Sequence, residues 1–195
     1  MSSKRRIVIV DDEPLTRMDI KEMLQENGYD VVGEGRNGEE AVELSYKLRP
    51  NLVIMDVKMA KMDGIKASSI ISSCTDTAIL LLTAYSQKEL VADARNVGVS
   101  AYLVKPVTEE DLLPAVEIAL SQNRMVQSLK NDIRGLKQTI EERKIIEKVK
   151  GHVMAELVCN EEDAYQWMRG ESMKQRLTMV ELAHRIIDGR QRIHH

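Results

Sequence analysis

The sequence predicts an α/β fold: a doubly wound, five-stranded parallel sheet, followed by a long helix and a small three-helix domain. Short apolar runs such as Ile7–Val10 and Leu52–Met55 lack polar–apolar alternation, so they suit strands buried on both faces. As far as Val104 these runs alternate with amphipathic helical stretches, which is the pattern of a parallel sheet. From Thr108 onward the sequence is compatible with helix.

The predicted elements follow one another in chain order. Strands are expected at 7–10, 29–35, 52–55, 78–83 and 101–104, and helices at 15–25, 39–48, after Gly64 and at 87–97. A long helix is expected from 109 to 159, with a small kink at Pro114. Asn160 is an N-cap for a further helix, and Thr178 with Glu181 forms a capping box for the last one, which Gly189 ends.

The composition is that of a soluble globular chain. Of 195 residues, 43% are hydrophobic and 30% are charged, and there is no phenylalanine, so Leu, Ile, Val and Met must fill the interior. No apolar run approaches the roughly 18 residues of a membrane span, and no signal-peptide core follows the basic start. The isolated Cys74 and Cys159 show no metal or redox spacing, which indicates a reducing compartment. A cytoplasmic protein without membrane association is therefore expected.

The charge is distributed unevenly along the chain. Residues 1–120 have a net charge of −6 and residues 121–195 a net charge of +3. An acidic first half and a mildly basic second half suit a cation site joined to an anion-binding domain. Ordinary scatter of charges is the alternative, and the second half is not basic enough to establish nucleic-acid binding.

Carboxylates follow two of the predicted strands. Asp11 and Asp12 come directly after the first strand, and Asp56 ends the third. Open parallel sheets bind ligands at the carboxyl ends of their strands. Three neighbouring carboxylates repel one another unless a cation lies between them, and Mg²⁺ is the hard divalent ion best suited to oxygen ligands. The sequence therefore predicts a Mg²⁺ site, with solvated loop acids as the alternative.

About the first 120 residues resemble the receiver domain of response regulators. The resemblance is carried by five motifs in order: Val-Asp-Asp-Glu-Pro at 10–14, Met55-Asp56, Met-Asp-Gly at 62–64, Thr83-Ala84 and Lys105-Pro106. It implies the strand order 2-1-3-4-5, which periodicity cannot supply. It also implies that Asp56 accepts a phosphoryl group from a sensor histidine kinase. Ala60 stands where receivers usually carry proline, which loosens a loop without threatening the chemistry.

The receiver resemblance also implies roles for individual residues. Asp11, Asp12, Asp56 and the main-chain carbonyl of Lys58 would hold Mg²⁺. Thr83 and Lys105 would contact the phosphoryl oxygens, and the Lys105–Pro106 peptide bond would be cis. Thr83 and Tyr102 would form the switch that repacks the domain surface after phosphorylation. The alternative for Tyr102 is that of an ordinary half-buried strand residue.

The long helix contains a short heptad repeat. Its apolar residues are spaced 3, 4, 3, 4, with β-branched residues at a and leucine at d, which favours a parallel two-stranded coiled coil: Val126, Leu129, Ile133, Leu136 and Ile140. Homodimerisation on phosphorylation is therefore expected. The alternative is a single amphipathic helix packed on its own domain.

The last part of the chain resembles the ANTAR domain, the RNA-binding output of transcription antitermination regulators. The residue groups that carry this resemblance are Ile145-Ile146, Lys150-Gly151, Val153-Met154, Asp163-Ala164-Tyr165, Met168-Arg169, Ser172-Met173, Leu182-Ala183 and Ile186-Ile187. Ser172 replaces the usual small alanine, and Gly170 weakens its helix. By resemblance the RNA contacts are Lys150, Tyr165, Arg169, Ser172 and Arg176. Core packing is the alternative for Tyr165 and for Trp167.

These expectations combine into three segments and one function. Residues 1–121 would form the receiver, 122–144 a coiled-coil linker helix and 145–190 the ANTAR-type domain. The chain would be a two-component response regulator and not an enzyme. Its dimer would bind tandem RNA hairpins in nascent transcripts and prevent transcription termination. Two alternatives remain: a DNA-binding regulator with a helix-turn-helix output, and an interaction protein that signals through phosphorylation-dependent dimerisation alone.

Overall fold

A computed structural model describes residues 5–84, 98–189 and 192–193. The chain divides into two compact units, residues 1–128 and 129–195. This boundary falls inside the segment 122–144 that the sequence predicts as the linker helix. The helix predicted at 87–97 lies outside the described residues. In the described ranges, no helix combines the length and the apolar character needed to cross a membrane.

The first unit is built on a five-stranded parallel sheet. Its strands are β1 (Arg6–Val10), β2 (Asp30–Gly35), β3 (Leu52–Asp56), β4 (Ala78–Thr83) and β5 (Ala101–Val104), and their order in the sheet is β2-β1-β3-β4-β5. This confirms the predicted order 2-1-3-4-5. The described helices are α1 (Pro14–Glu26), α2 (Gly38–Leu48), α3 (Gly64–Cys74) and the first part of α4 (Glu109–Leu157).

Both faces of the sheet are covered, which explains the strands without alternation. Ile7 and Ile9 of β1 join one core with α1 and α4, whereas Val8 and Val10 join the other with α2 and α3. Strands β3 and β4 are buried along their whole length. A doubly wound fold is therefore confirmed, because only helices on both faces can bury successive residues of one strand.

The second unit is a three-helix bundle. Its helices are the last part of α4, then α5 (Glu161–Gln175) and α6 (Met179–Ile187). The fully buried residues of its core come in pairs from the three helices: Val149 and Val153, Ala164 and Met168, Leu182 and Ala183. Both predicted helix starts are present: Asn160 accepts a bond from the main-chain N–H of Asp163, and Thr178 forms a capping box with Glu181. Pro114 lies inside α4, and the small kink expected there stays a prediction.

Candidate functional site

Three carboxylates meet at the carboxyl edge of the sheet. β1 and β3 are parallel neighbours in which Val10 pairs with Met55, so the residues that follow lie at the same edge. Asp11, Asp12 and Asp56 each offer a carboxylate oxygen, and these oxygens lie within 4.8 Å of one another. Asp11 and Asp56 are buried and Asp12 is exposed. The edge of the sheet therefore concentrates negative charge at a point that solvent can reach from one side.

Lys105, which directly follows β5, extends its side chain into this cluster. Its Nζ donates to Asp11 Oδ2 at 2.7 Å and lies 3.0 Å from Asp56 Oδ2. Burial lowers the pKa of Lys105, but the hydrogen bonds to Asp11 and Asp56 outweigh that effect, so the pKa is raised. The lysine is therefore held in its charged form between two carboxylates.

The pKa of Asp56 is raised by its burial. The nearby charge of Asp11 adds to this effect, and together they outweigh the interactions with Lys105 and the hydrogen bond from the main-chain N–H of Lys58, which lower the pKa. A negative charge here is thus only partly compensated by the protein. An oxygen-only donor set of this kind fits Mg²⁺, which takes one or two carboxylates and keeps several waters. The predicted role of the Lys58 carbonyl as a further ligand stays a prediction.

Thr83 and Lys105 come from adjacent strand ends. Thr83 is the last residue of β4 and is buried, and Asp56 pairs with its neighbour Leu82 across the sheet. The main-chain N–H of Lys105 donates to the carbonyl of Thr83 at 2.8 Å, and the Lys105–Pro106 peptide bond is cis as predicted. Tyr102 on β5 is 49% exposed. The switch role of Thr83 and Tyr102 stays a prediction.

Gly64 contributes to the site in a way that the sequence did not indicate. Its main-chain N–H donates to the carbonyl of Val57 at 2.9 Å, which brings the start of α3 back onto the end of β3. A Cβ at this position would lie 2.3 Å from the carbonyl oxygen of Asp56. Only glycine allows this approach, so the Met-Asp-Gly motif fixes the main chain that carries Asp56.

Arg17 is a second residue that sequence reasoning missed. From α1 it donates to the main-chain carbonyl of Asp11 at 2.6 Å, and its Nε lies 3.7 Å from the Glu34 carboxylate. Glu34 also accepts from Lys21 at 2.6 Å. These bonds tie the main chain of a candidate metal ligand to α1 and β2. An arginine on an amphipathic helix is usually a surface residue, so the sequence carried no signal for this role.

In the second unit, two of the predicted RNA contacts are buried. Lys150 is buried, and its Nζ lies 2.6 Å from Glu147 Oε2 and 2.7 Å from Glu161 Oε1. The hydrogen bonds to these two carboxylates raise the pKa of Lys150. Ser172 is also buried, and its hydroxyl donates to the carbonyl of Arg169 at 2.9 Å. Lys150 thus joins α4 to α5, and the extra hydroxyl at the usual alanine position is satisfied within its own helix.

The other three predicted RNA contacts are exposed on or directly after α5. Tyr165 is 42% exposed and Arg169 follows it one turn later on the same face, while Arg176 caps the helix in the left-handed conformation. Met173, one turn after Arg169, is 67% exposed and extends this face. We call Tyr165, Arg169, Met173 and Arg176 the α5 stripe. The sequence analysis named Met173 as part of the ANTAR resemblance and did not include it among the predicted RNA contacts.

The two aromatic residues of α5 have different environments. Trp167 is partly buried and packs against the bundle core, whereas Tyr165 is not among the residues of that core. The core-packing alternative therefore holds for Trp167.

The apolar heptad residues of α4 are all exposed. Their exposed fractions range from 47% to 65%: Val126, Leu129, Ile133, Leu136 and Ile140. Few apolar side chains stay this exposed in a row on a monomer. A second helix could cover these heptad residues in a coiled coil.

Comparison with known proteins places both units in families. The response regulator receiver domain model matches residues 7–117, and the ANTAR domain model matches residues 134–187. The chain is 45% identical over 184 residues to the transcriptional regulatory protein PdtaR of Mycobacterium tuberculosis, covering 94% of this chain and 90% of that protein. It is also 40% identical over 117 residues to the chemotaxis protein CheY of Bacillus subtilis, covering 60% of this chain and 98% of that protein.

Solved structures agree for the first unit. The receiver domain of the response regulator NarL from Mycobacterium tuberculosis is similar with a TM-score of 0.58 and 30% identity, covering 60% of this chain and 97% of that one. CheY of Borrelia burgdorferi, in a complex described as CheX-CheY-BeF₃-Mg²⁺, is similar with a TM-score of 0.56 and 27% identity, covering 57% of this chain and 86% of that one. With both domain models matched and a relative similar over nearly its whole length, the chain belongs to the response regulators that join a receiver domain to a C-terminal ANTAR domain.

Proposed function

We propose that the chain takes a phosphoryl group onto Asp56 from a sensor histidine kinase. We further propose that the resulting dimer binds tandem RNA hairpins in nascent transcripts and prevents termination. The observation that carries this proposal is the carboxylate cluster at Asp56, with Lys105 at 3.0 Å, in a chain that also has an ANTAR domain. The RNA target and the antitermination step rest on the ANTAR family membership.

The chemistry at Asp56 is a phosphoryl transfer between two side chains. An oxygen of the Asp56 carboxylate attacks phosphorus, the P–N bond of a phosphohistidine breaks, and an acyl phosphate forms on the aspartate. Such transfers depend on positioning and charge neutralisation. Lys105 neutralises charge at the reacting oxygens, and Arg17 and Gly64 hold the main chain of Asp11 and Asp56. When bound to the carboxylate cluster, Mg²⁺ supplies further neutralisation of the phosphoryl oxygens.

The kinase would dock on the face of α1. Leu15 and Met18 are 64% and 57% exposed there. A groove of about 360 Å³ is lined by other residues of α1, such as Ile20 and Met23, and by Lys105. Exposed apolar residues beside a reactive centre suit a partner that must bring its own side chain to that centre.

The heptad surface of α4 would form the dimer. Two heptads are few for a coiled coil, but they lie within a helix of 49 residues. Pairing therefore does not have to nucleate a new helix, because the heptads are already helical in the single chain. Parallel pairing would bury Val126, Ile133 and Ile140 at a, with leucine at d.

The α5 stripe is the surface we propose for RNA. Arg169 and Arg176 would contact phosphates, and Tyr165 offers a ring on which an unpaired base can stack. Arg185 adds a charge beside the end of the stripe, since its guanidinium donates to Gln175 Oε1 at 3.2 Å. Lys150 and Ser172 are buried, so they would support this surface from within.

A helix-turn-helix output is less well supported. Helix α6, the last of the bundle, has only His184 and Arg185 as exposed basic residues. A recognition helix needs several side chains that reach base edges in the major groove. A gel shift with RNA hairpins and with duplex DNA of the same sequence separates the two outputs, and a protein that dimerises but shifts neither probe would be an interaction protein.

The test of the phosphoacceptor is labelling by a small phosphodonor such as acetyl phosphate with Mg²⁺. Asp56→Asn should abolish labelling, because it removes the nucleophilic oxygen while keeping the size of the side chain. Asp63→Asn is the matched control, since Asp63 only caps α3 by accepting from Lys66 N at 2.7 Å, and asparagine caps equally well. Undiminished labelling of Asp56→Asn, or an equal loss of labelling in both variants, would contradict the role of Asp56 as the phosphoacceptor.

A further inference from the structure

A cavity lies at the amino-terminal edge of the sheet, opposite to the edge that carries Asp56. Its volume is about 360 Å³, within the usual range for small-ligand sites of roughly 300–1,000 Å³. Three arginines from separate parts of the first unit line it: Arg5 before β1, Arg49 after α2 and Arg124 on α4. We call the space that these three residues line the arginine cavity. Arg49 and Arg124 are exposed and Arg5 is half-buried, and all three border the same space although the surrounding domain is acidic overall.

The three arginines differ in how far their charge is already neutralised. Arg5 forms an ion pair with Glu117, which also accepts from the hydroxyl of Tyr29 at 2.6 Å. Arg49 lies over the ring of Tyr46, 5.1 Å from its centroid, and makes one long bond of 3.4 Å to the carbonyl of Cys74. No carboxylate within the described ranges forms an ion pair with Arg49 or Arg124.

The walls of the cavity are fixed by hydrogen bonds. The side chain of Asn123 on α4 donates to the carbonyl of Asp76 at 2.6 Å, and the hydroxyl of Thr77 donates to the carbonyl of Pro50 at 3.1 Å. Thr77 is buried. The lining therefore holds three guanidinium groups and the single carboxylate of Asp76 on a preformed frame.

We propose that the arginine cavity binds a small phosphomonoester anion, such as a mononucleotide or inorganic phosphate. A guanidinium group presents a planar fork of donors that matches phosphate oxygens. Within the described ranges Arg49 forms no ion pair, and Arg124 acts on the Glu117 carboxylate through its charge without forming an ion pair with it, so both groups keep donors for a dianion. The ligand would bridge Arg49 at the end of α2 and Arg124 on α4. It would thereby brace α4 against the sheet at the point where the helix leaves the receiver core, beyond Leu120.

This site is chemically distinct from the phosphoacceptor. Asp11, Asp12 and Asp56 repel free anions in metal-free buffer, so binding measured without Mg²⁺ excludes the phosphoacceptor, and the arginine variants below separate the cavity from the α5 stripe. The probes are inorganic phosphate, adenosine monophosphate and adenosine, each titrated into the full chain in metal-free buffer by calorimetry and by thermal unfolding. Phosphate and the nucleotide should bind and raise the unfolding temperature, whereas adenosine should do neither.

Three variants and one control locate the site. Arg49→Gln and Arg124→Gln should each weaken binding of the nucleotide about tenfold, the usual cost of one charge-assisted bond. Both side chains are exposed enough for the fold to tolerate the change. Arg36→Gln is the control, because Arg36 is 75% exposed and pairs with Glu40 on α2. Arg124→Lys should keep part of the affinity, since it keeps the charge and loses the fork.

Three results would overturn the proposal. The first is equal affinity for adenosine and its monophosphate, which would mean that the phosphate is not recognised. The second is a loss in Arg36→Gln as large as in Arg49→Gln, which would mean unspecific attraction to surface charge. The third is that a single-stranded oligonucleotide without a terminal phosphate binds as tightly as the nucleotide and loses affinity in the same arginine variants, which would assign the cavity to RNA instead.

Discussion

Replacing Gly64 by alanine tests how closely the main chain controls the phosphoacceptor. The added Cβ would lie 2.3 Å from the carbonyl oxygen of Asp56 and 3.1 Å from the Cα of Val57. Ordinary contacts of this kind begin near 3.4 Å, so the two segments must separate by about 1 Å. Because all the atoms involved are main-chain atoms, no side-chain rotation can relieve the contact.

The expected cost has a structural and a chemical part. Overpacking of this kind destabilises a protein by about 1–3 kcal/mol, and a misplacement of about 1 Å at a reacting group can slow a reaction about 10²-fold. We therefore expect Gly64→Ala to fold with reduced stability in urea and to be phosphorylated by acetyl phosphate about a hundredfold more slowly. Gly170→Ala is the control, because a Cβ there meets nothing within 4 Å. A Gly64→Ala protein with normal stability and a normal rate would refute the reasoning.

Three further predictions concern the coil, the buried charge and the bundle. Ile133→Lys places a charge at a buried a position of the coil and should make the phosphorylated chain monomeric in sedimentation, whereas Gln138→Lys on the outer face should not. Burial raises the pKa of Asp56, so the charged form of this residue opposes folding. In metal-free buffer at pH 7, Asp56→Asn should therefore unfold at a higher urea concentration than the wild type. The difference should vanish below the ordinary aspartate pKa of about 3.9, where the side chain is protonated in both the folded and the unfolded chain. An equal or lower midpoint at pH 7 would contradict this. Gly170→Ala should stabilise α5 by about 0.5–1 kcal/mol in urea unfolding, because alanine loses less backbone entropy in a helix, and an unchanged midpoint would contradict this.

The elements that the sequence predicted well are those with local causes. Unbroken apolar runs predicted β3 and β4 because a strand covered on both faces has no polar side. Asn160, Thr178 and Glu181 predicted helix starts because a cap bonds to main-chain groups only two or three residues away. The order of the strands required the receiver resemblance, since periodicity within a strand carries no information about its neighbours.

The parts that the sequence did not predict depend on contacts between distant segments. Lys150 looked like a basic surface residue, and only the packing of α4 against α5 shows that Glu161 and Glu147 enclose its ammonium group. Gly64 was visible as part of a motif, but its closeness to Asp56 depends on the path of the intervening loop. Tyr165 and Trp167 were equivalent by type, and the bundle core separates them.

We propose that phosphorylation and RNA binding are coupled through the conformation of the chain. Salt screens charges beyond a Debye length of about 10 Å at 0.1 M, so a new charge acts directly only on groups close to Asp56, whereas helix α4 runs without a break from the receiver into the ANTAR bundle. We therefore expect phosphorylation to act through a two-state element, for which the helix α4 with its exposed heptads is the candidate. Two paired outputs would then bind two hairpins with a high effective concentration.

The most direct test of this account compares one hairpin with a tandem pair. Affinity for each RNA is measured at fixed salt with the unphosphorylated and the phosphorylated chain. The account predicts that phosphorylation strengthens binding of the tandem pair by about 10²-fold or more and that of the single hairpin far less. The Ile133→Lys variant should lose the gain on the tandem pair while keeping its affinity for the single hairpin. Equal gains on both RNAs would show that phosphorylation alters the RNA-contacting surface itself and would contradict the account.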